Sequence, residues 1–183
     1  MSTREYHALS DAGCTGVTLY QETYDEELYY ELHRWGAKRD YAFRLDAPER
    51  ILSAGMRVVG LGALLGLAEP RREMISLYRH AAYLRRKHWQ SGITVSFPRI
   101  RPQVGAFKPR HFVDERFLTQ IICAFRLCMP DVPLVMSTRE SPRFRDGIAG
   151  IGVNKMSAAS RTTVGGYSNQ YPDDRGQFDV SDL

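Results

Sequence analysis

Three polar clusters stand out for the chemistry their side chains could carry: Gln21-Glu22-Thr23-Tyr24, Ser96-Phe97-Pro98-Arg99 and Ser137-Thr138-Arg139-Glu140. Each closes a short β-branched or aliphatic run and precedes a helical pattern. Glu22 offers a carboxylate that can accept hydrogen bonds from ribose hydroxyls or from an ammonium group; it could equally cap the helix that starts near Asp25. Arg139 presents a planar fork suited to a carboxylate, with an ion pair to Glu140 or Asp146 as the alternative. In a parallel α/β sheet, positions just after strands form the carboxyl rim where barrels and doubly wound folds place their sites.

The glycine-rich stretch Gly60-Leu61-Gly62-Ala63-Leu64-Leu65-Gly66 puts bare backbone at the mouth of a second strand, where a ligand can approach closely. It is not a dinucleotide fingerprint, because its third glycine falls one residue late, and nothing in the chain spaces like a P-loop. The five histidines show no metal-ligand spacing, so no metal site is expected from this chain alone. Cys14, Cys123 and Cys128 form no CxxC pair; an odd, scattered set argues for a reducing cytoplasm and for buried, inert thiols.

The elements that must position these residues follow from periodicity. Strands are expected at Val17–Tyr20, Arg57–Leu61, Ile93–Phe97, Pro133–Met136 and Gly152–Ser157. Helices are expected from Ser2 or Thr3 to Ala12, from Asp25 to Gly36, from Asp46 to Ala54, from Glu69 to Trp89, from Asp114 to Pro130, and after Pro142. The helix from Glu69 carries Met74, Leu77, Tyr78, Ala81 and Leu84 on one face. The segment from Pro98 to His111 holds three prolines and reads as a long functional loop. Strands alternating with helices imply parallel βαβ units, and hence an α/β fold of about five parallel strands: a partial (β/α) TIM-type barrel over residues 1–164. An open flavodoxin-like sheet is the alternative, and residues 165–183 read as a loosely ordered tail.

At 183 residues, 43% apolar and 25% charged, the chain is long enough for one domain with a real core. Its net charge of +4 is small, and its basic residues are spread along the chain rather than gathered on one face. A nucleic-acid partner is therefore not expected. No stretch approaches the roughly 20 apolar residues of a membrane span, and no signal-peptide core follows Met1; the expected location is cytoplasmic.

Taken together, VTLYQETY (17–24), RLDAPERILSAGMRVVGLGALLGL (44–67), HWQSGITVSFPRIRP (88–102), DERFLTQIICAFRLCMP (114–130), STRESPRFRD (137–146) and MSAASRTTVGGY (156–167) resemble the C-terminal half of 2-iminoacetate synthase. That family comprises the radical S-adenosylmethionine tyrosine lyases of thiamine biosynthesis, and the half includes the biotin and thiamin synthesis associated domain. The resemblance implies a (β/α) barrel in which a radical made from S-adenosylmethionine abstracts hydrogen from tyrosine. The Cα–Cβ bond then breaks to give 2-iminoacetate and p-cresol.

By the same resemblance Glu22 and Arg44 bind S-adenosylmethionine, Glu22 at the ribose and Arg44 at the methionyl carboxylate, with the backbone of Gly60 and Gly62 lining that pocket. Arg139 and Ser157 hold the carboxylate of tyrosine, and Arg99 is a further pocket-lining candidate. The family binds its [4Fe-4S] cluster through a CxxxCxxC loop that is absent here, so no catalytic residue and no metal ligand is assigned to this chain. The chain is expected to supply barrel strands four to eight and to be incomplete without an N-terminal half. Thiazole synthase is a partner the resemblance suggests. A non-catalytic nucleotide- or amino-acid-binding module, and a fragment of the related tyrosine lyase of [FeFe]-hydrogenase maturation, are the alternatives.

Overall fold

Short polar caps set the boundaries of the helices. In the computed structural model, which describes residues 1–101 and 107–158, Ser2 and Glu5 form a capping box that opens helix α1 (Thr3–Asp11). Strand β1 (Gly16–Thr18) follows, then α2 (Glu26–Leu32), α3 (Tyr41–Leu45) and α4 (Ala47–Ser53). Asp25 and Asp40 cap α2 and α3 by accepting from the N–H groups of Leu28 and Phe43. The chain continues through β2 (Val58–Gly62), α5 (Pro70–Lys87), β3 (Gly92–Ser96), α6 (Glu115–Cys128), β4 (Leu134–Met136), α7 (Pro142–Ala149) and β5 (Lys155–Met156).

The five strands form one sheet, all parallel, in the order β1-β2-β3-β4-β5. A flavodoxin-like sheet reverses its strand order at a switch point; this sheet never does. Sequential parallel order is that of a (β/α) barrel, so the chain is an open arc of one, with β1 and β5 as edges. The expected helix from Asp25 to Gly36 stops at Leu32, because His33 leaves helical geometry, and Trp35 is exposed. α3 is an element that the sequence pattern did not predict. The tail expected beyond Gly165 lies outside the described residues.

The sheet has two unlike faces. Val59, Leu61, Ile93, Val95, Leu134 and Met136 are buried in one core with Ile51, Leu77, Leu84, Leu118, Ile122 and Phe125 of the helices. Burying each such side chain contributes roughly 1.5–3 kcal/mol. Of the expected face of α5, Met74, Leu77, Ala81 and Leu84 are buried, while Tyr78 stays on the surface. The other face is built from small or polar residues in register: Thr18, Gly60 and Thr94 side by side, with Gly62 beside Ser96. A closed barrel usually fills this space with branched side chains; here small residues let Thr18 and the Tyr20 ring pack over Gly60 and Gly62.

The three cysteines are unpaired; Cys14 and Cys123 are half-buried, and Cys128 is exposed at the end of α6, contrary to the expectation of a buried thiol. Among the described residues, no helix is long and apolar enough to cross a membrane.

A Cβ at Gly60 would lie 2.4 Å from Thr18 Oγ1 and 3.0 Å from Thr18 Cβ, whereas one at Gly147, within α7, meets nothing within 4 Å. Gly60→Ala should therefore destabilise the protein by about 1–3 kcal/mol, while Gly147→Ala should stabilise it by about 0.5–1 kcal/mol. Urea denaturation of the two variants checks the opposite signs, and a neutral Gly60→Ala would contradict the packing described.

Candidate functional site

β1 runs out at Thr18, but the chain stays paired to β2 beyond it. Leu19 N–H donates to Gly60 O and Gln21 N–H to Gly62 O, both at 2.9 Å. Glu22 then turns into the left-handed region, with φ of 73°, while its carbonyl accepts from Leu64 N–H at 2.7 Å across a bridge to Ala63. A non-glycine residue held there is costly unless its surroundings fix it. Asp25 caps α2 itself, so the Glu22 carboxylate is not a cap. It takes a hydrogen bond from Lys38 Nζ at 2.6 Å and lies 3.7 Å from Arg44 Nη2.

Glu22 borders a cavity of about 410 Å³, whose walls include Tyr20, His33, Lys38, Pro98 and Arg139. The ends of β1 and β4, far apart in sequence, thus deliver a carboxylate and a guanidinium to one space. Burial pulls the Arg139 guanidinium below its ordinary pKa, and Tyr20 and Glu22 act against that. A site with both signs of charge suits a zwitterionic or mixed-charge ligand better than a simple anion.

Arg44 projects from α3 to the free edge of β1. Its Nε and Nη2 both donate to Tyr20 O, at 2.9 and 2.6 Å. Gly60 and Gly62 do not themselves line the cavity. Their carbonyls are used by β1, and the space above them is taken by Thr18 and by the Tyr20 ring, 2.7 Å from where a Gly62 Cβ would stand. The glycines thereby let Tyr20 lie on β2 and form the cavity wall. Ser157 stands after β5, half-buried, with its N–H on Met136 O at 2.9 Å, and is not part of this wall.

Arg99 was expected in the pocket, and the structure places it elsewhere. It is 4% exposed and grips the 2%-exposed Glu140 through Nε and Nη2, while Nη1 donates to Val113 O at 2.8 Å. The pair bolts the end of β3 to the end of β4 and to the start of α6. Glu140 is thus the partner of Arg99. Among the described residues, no group of three His, Cys, Asp or Glu side chains could hold a metal ion.

A second buried carboxylate escaped the sequence reading. Glu73, in the first turn of α5 and 2% exposed, accepts from Thr23 Oγ1 at 2.7 Å and from Tyr24 N–H at 3.0 Å. Burial raises its pKa, opposed by those hydrogen bonds. One turn pair further along, His80 Nδ1 meets the Tyr24 hydroxyl at 2.9 Å, and burial lowers the His80 pKa to about 4. The available signal was spacing: Glu73, Leu77, His80 and Leu84 fall on one stripe of α5, so two ionisable groups interrupt a buried face.

Residues 96–182 match the Biotin and Thiamin Synthesis associated domain. The chain is 44% identical over 174 residues to 2-iminoacetate synthase of Escherichia coli (strain K12), and 42% identical over 174 residues to that of Salmonella typhimurium. Each alignment covers 94% of this chain and 46% of the relative, so the chain spans about half the length of the curated relatives it matches. Among solved structures, HydG, a maturase of the [FeFe]-hydrogenase, superposes with a TM-score of 0.88 at 34% identity, over 100% of this chain and 40% of that one. HydG from Carboxydothermus hydrogenoformans gives the same score and identity, with 42% of its chain covered. Methylornithine synthase (PylB), at 21% identity and a TM-score of 0.69, shares the fold, over 97% of this chain and 52% of its own.

Truncating Arg99 to Ala removes the two-pronged partner of a buried carboxylate and should cost about 3–5 kcal/mol. Replacing both partners, Arg99→Met with Glu140→Met, should restore most of that stability in chemical denaturation; a double variant no better than Arg99→Ala would contradict the buried pair as the cause.

His80 supplies a pH signature. Its folded pKa lies below its usual 6.5, so its stabilising effect is present above pH 6.5 and lost as pH falls toward about 4. The parent chain should lose stability across that window more steeply than His80→Gln. Parallel pH–stability curves would show that His80 is not buried neutral.

Proposed function

Because the chain is homologous along nearly its whole length to part of 2-iminoacetate synthase, we propose that it is the tyrosine-binding portion of a radical S-adenosylmethionine tyrosine lyase. The observation that carries this reading is the shared cavity of Glu22 and Arg139, which offers complementary charges for an amino acid and a nucleoside at one barrel rim. The higher identity to 2-iminoacetate synthase than to HydG supports the thiamine branch. On this reading the substrate is tyrosine and the products are 2-iminoacetate and p-cresol.

S-adenosylmethionine, when bound and reductively cleaved, supplies the hydrogen-abstracting chemistry. The residues present fit a role in holding it. Glu22 accepts from ribose hydroxyls once Lys38, which is half exposed, yields its bond. Arg44, whose Nε and Nη2 hold Tyr20 O, would offer its guanidinium to the methionyl carboxylate. Gly60 and Gly62 serve the pocket through the Tyr20 and Thr18 side chains they accommodate.

Arg139 pairs with the tyrosine carboxylate, and its partial burial strengthens that contact. Ser157, tied by its backbone to the end of β4, would add a hydroxyl donor to the same carboxylate. Arg99 acts at one remove, by holding Glu140 and so the loop that carries Arg139. The [4Fe-4S] cluster finds no ligand set among the described residues. Its ligands belong, on this proposal, to a complementary barrel half bearing CxxxCxxC, which pairs at the open β1 edge. No electron-transfer step is assigned to this chain.

Anaerobic assay of p-cresol formation, with the chain combined with such a half, tests the proposal. Arg139→Ala should raise the tyrosine concentration needed for half saturation about 30-fold, the equivalent of losing one charged hydrogen bond of about 2 kcal/mol. Unchanged tyrosine saturation would remove Arg139 from the carboxylate site. Tyrosine binding with no p-cresol from any complementing half would favour a binding module.

A further inference from the structure

We propose that Glu73 is a positioning residue for the pocket: from the first turn of α5 its carboxylate holds Glu22 in the left-handed conformation that aims the Glu22 side chain at the cavity. The inference rests, for its ligand, on the assignment of Glu22 to an adenosyl group made above.

The geometry is a three-sided clamp on the residues just after Glu22. Glu73 takes the Thr23 hydroxyl at 2.7 Å and the Tyr24 N–H at 3.0 Å. Thr23 Oγ1 in turn accepts from Asp25 N–H at 3.1 Å. Tyr24 O accepts from the Tyr41 hydroxyl at 3.0 Å, and the Tyr24 hydroxyl meets His80 Nδ1 at 2.9 Å. Tyr24 is therefore fixed at its amide, its carbonyl and its ring. With the chain pinned on that side, and with Glu22 O held by Leu64 N–H on the other, Glu22 has no route back to a relaxed φ.

The helix dipole favours an acid in the first turn of α5, but an exposed one would serve that purpose without the cost of burial. Glu73 sits on the stripe of α5 that otherwise buries Leu77 and Leu84, where an apolar residue would cost less. Oε1 of Glu73 takes both the Thr23 hydroxyl and the Tyr24 N–H, two bonds that no apolar side chain could accept. Its retention on a buried face is accounted for by what it holds.

Amide hydrogen exchange on the full chain reads the clamp directly. In Glu73→Met, which keeps the side-chain length but has no oxygen to accept these bonds, the amides of Tyr24 and Leu64 should exchange at least tenfold faster, while that of Val95, which donates to Pro133 O inside the sheet, should keep its rate. Thr23→Val should reproduce the effect, and Thr23→Ser, which restores the hydroxyl, should reverse it. Unchanged exchange at Leu64, or equal acceleration at Leu64 and Val95, would overturn the proposal; the second outcome would make Glu73 a general stability residue. Calorimetric titration with S-adenosylhomocysteine then reads the consequence. Glu73→Met should weaken binding about tenfold in the parent background and not at all in Glu22→Ala. Equal losses in both backgrounds would show that Glu73 does not act through Glu22. Absence of binding to the parent chain would refute the adenosyl assignment of Glu22, while the exchange rates would still decide the positioning role.

Discussion

Every strand of the sheet is parallel to its neighbour and follows it in chain order, so each crossover must return the chain to the same end of the sheet. From this one constraint comes the site. The segments that follow β1, β3 and β4 have no choice but to gather on a single rim, although Glu22 and Arg139 lie more than a hundred residues apart. Parallel pairing also commits the backbone fully to the neighbouring strands, leaving side chains at the rim as the chemical variables. The helices, α5 above all, then decide which of those side chains point inward and which are tied down.

The rim carries two buried carboxylates with opposite solutions to the same problem. Glu140 is neutralised by Arg99 in a two-pronged ion pair, with a carbonyl using the remaining side of the guanidinium. Glu73 is held instead by the Thr23 hydroxyl and the Tyr24 amide. Burial of an ion pair seldom adds net stability over apolar residues of similar size. What both arrangements add is direction: one sets the spacing of the loops after β3 and β4, the other the conformation of the loop after β1. The two loops that border the cavity with opposite charges are thus each anchored by a buried charge behind them.

Much of this was legible in the sequence, for identifiable reasons. The five strands declared themselves through β-branched runs, and Asp114 and Pro142 marked helix starts. Glu22 and Arg139 were visible because each directly follows a strand. Arg99 shares that position, yet the structure turns it to Glu140; local sequence carries no information on a partner forty-one residues away. α3 was missed because five residues of mixed apolar character hold too little periodicity, and with it the geometric reason for Arg44's placement. Gly60 and Gly62 read as openings for a ligand, but a parallel neighbour filled them with Thr18 and Tyr20, a consequence of register that pattern alone does not reveal.

The uncovered face of the sheet completes the argument. A barrel whose interior is packed with branched residues has no room for two ligands at its centre, and its site is confined to the loops. Here the inward positions Gly60, Gly62, Thr18, Thr94 and Ser96 carry only small or hydroxyl side chains, and Thr18 and the Tyr20 ring pack over the two glycines. The cost is the loss of apolar burial on one side of the sheet, which leaves Thr18 and Lys155 exposed in this chain. The stability is recovered on the other side, where six strand residues pack against the helices. A sheet so divided keeps its rigid apolar support on the helix side and its small and polar residues on the other, beneath the cavity wall of Tyr20, Glu22 and Arg139.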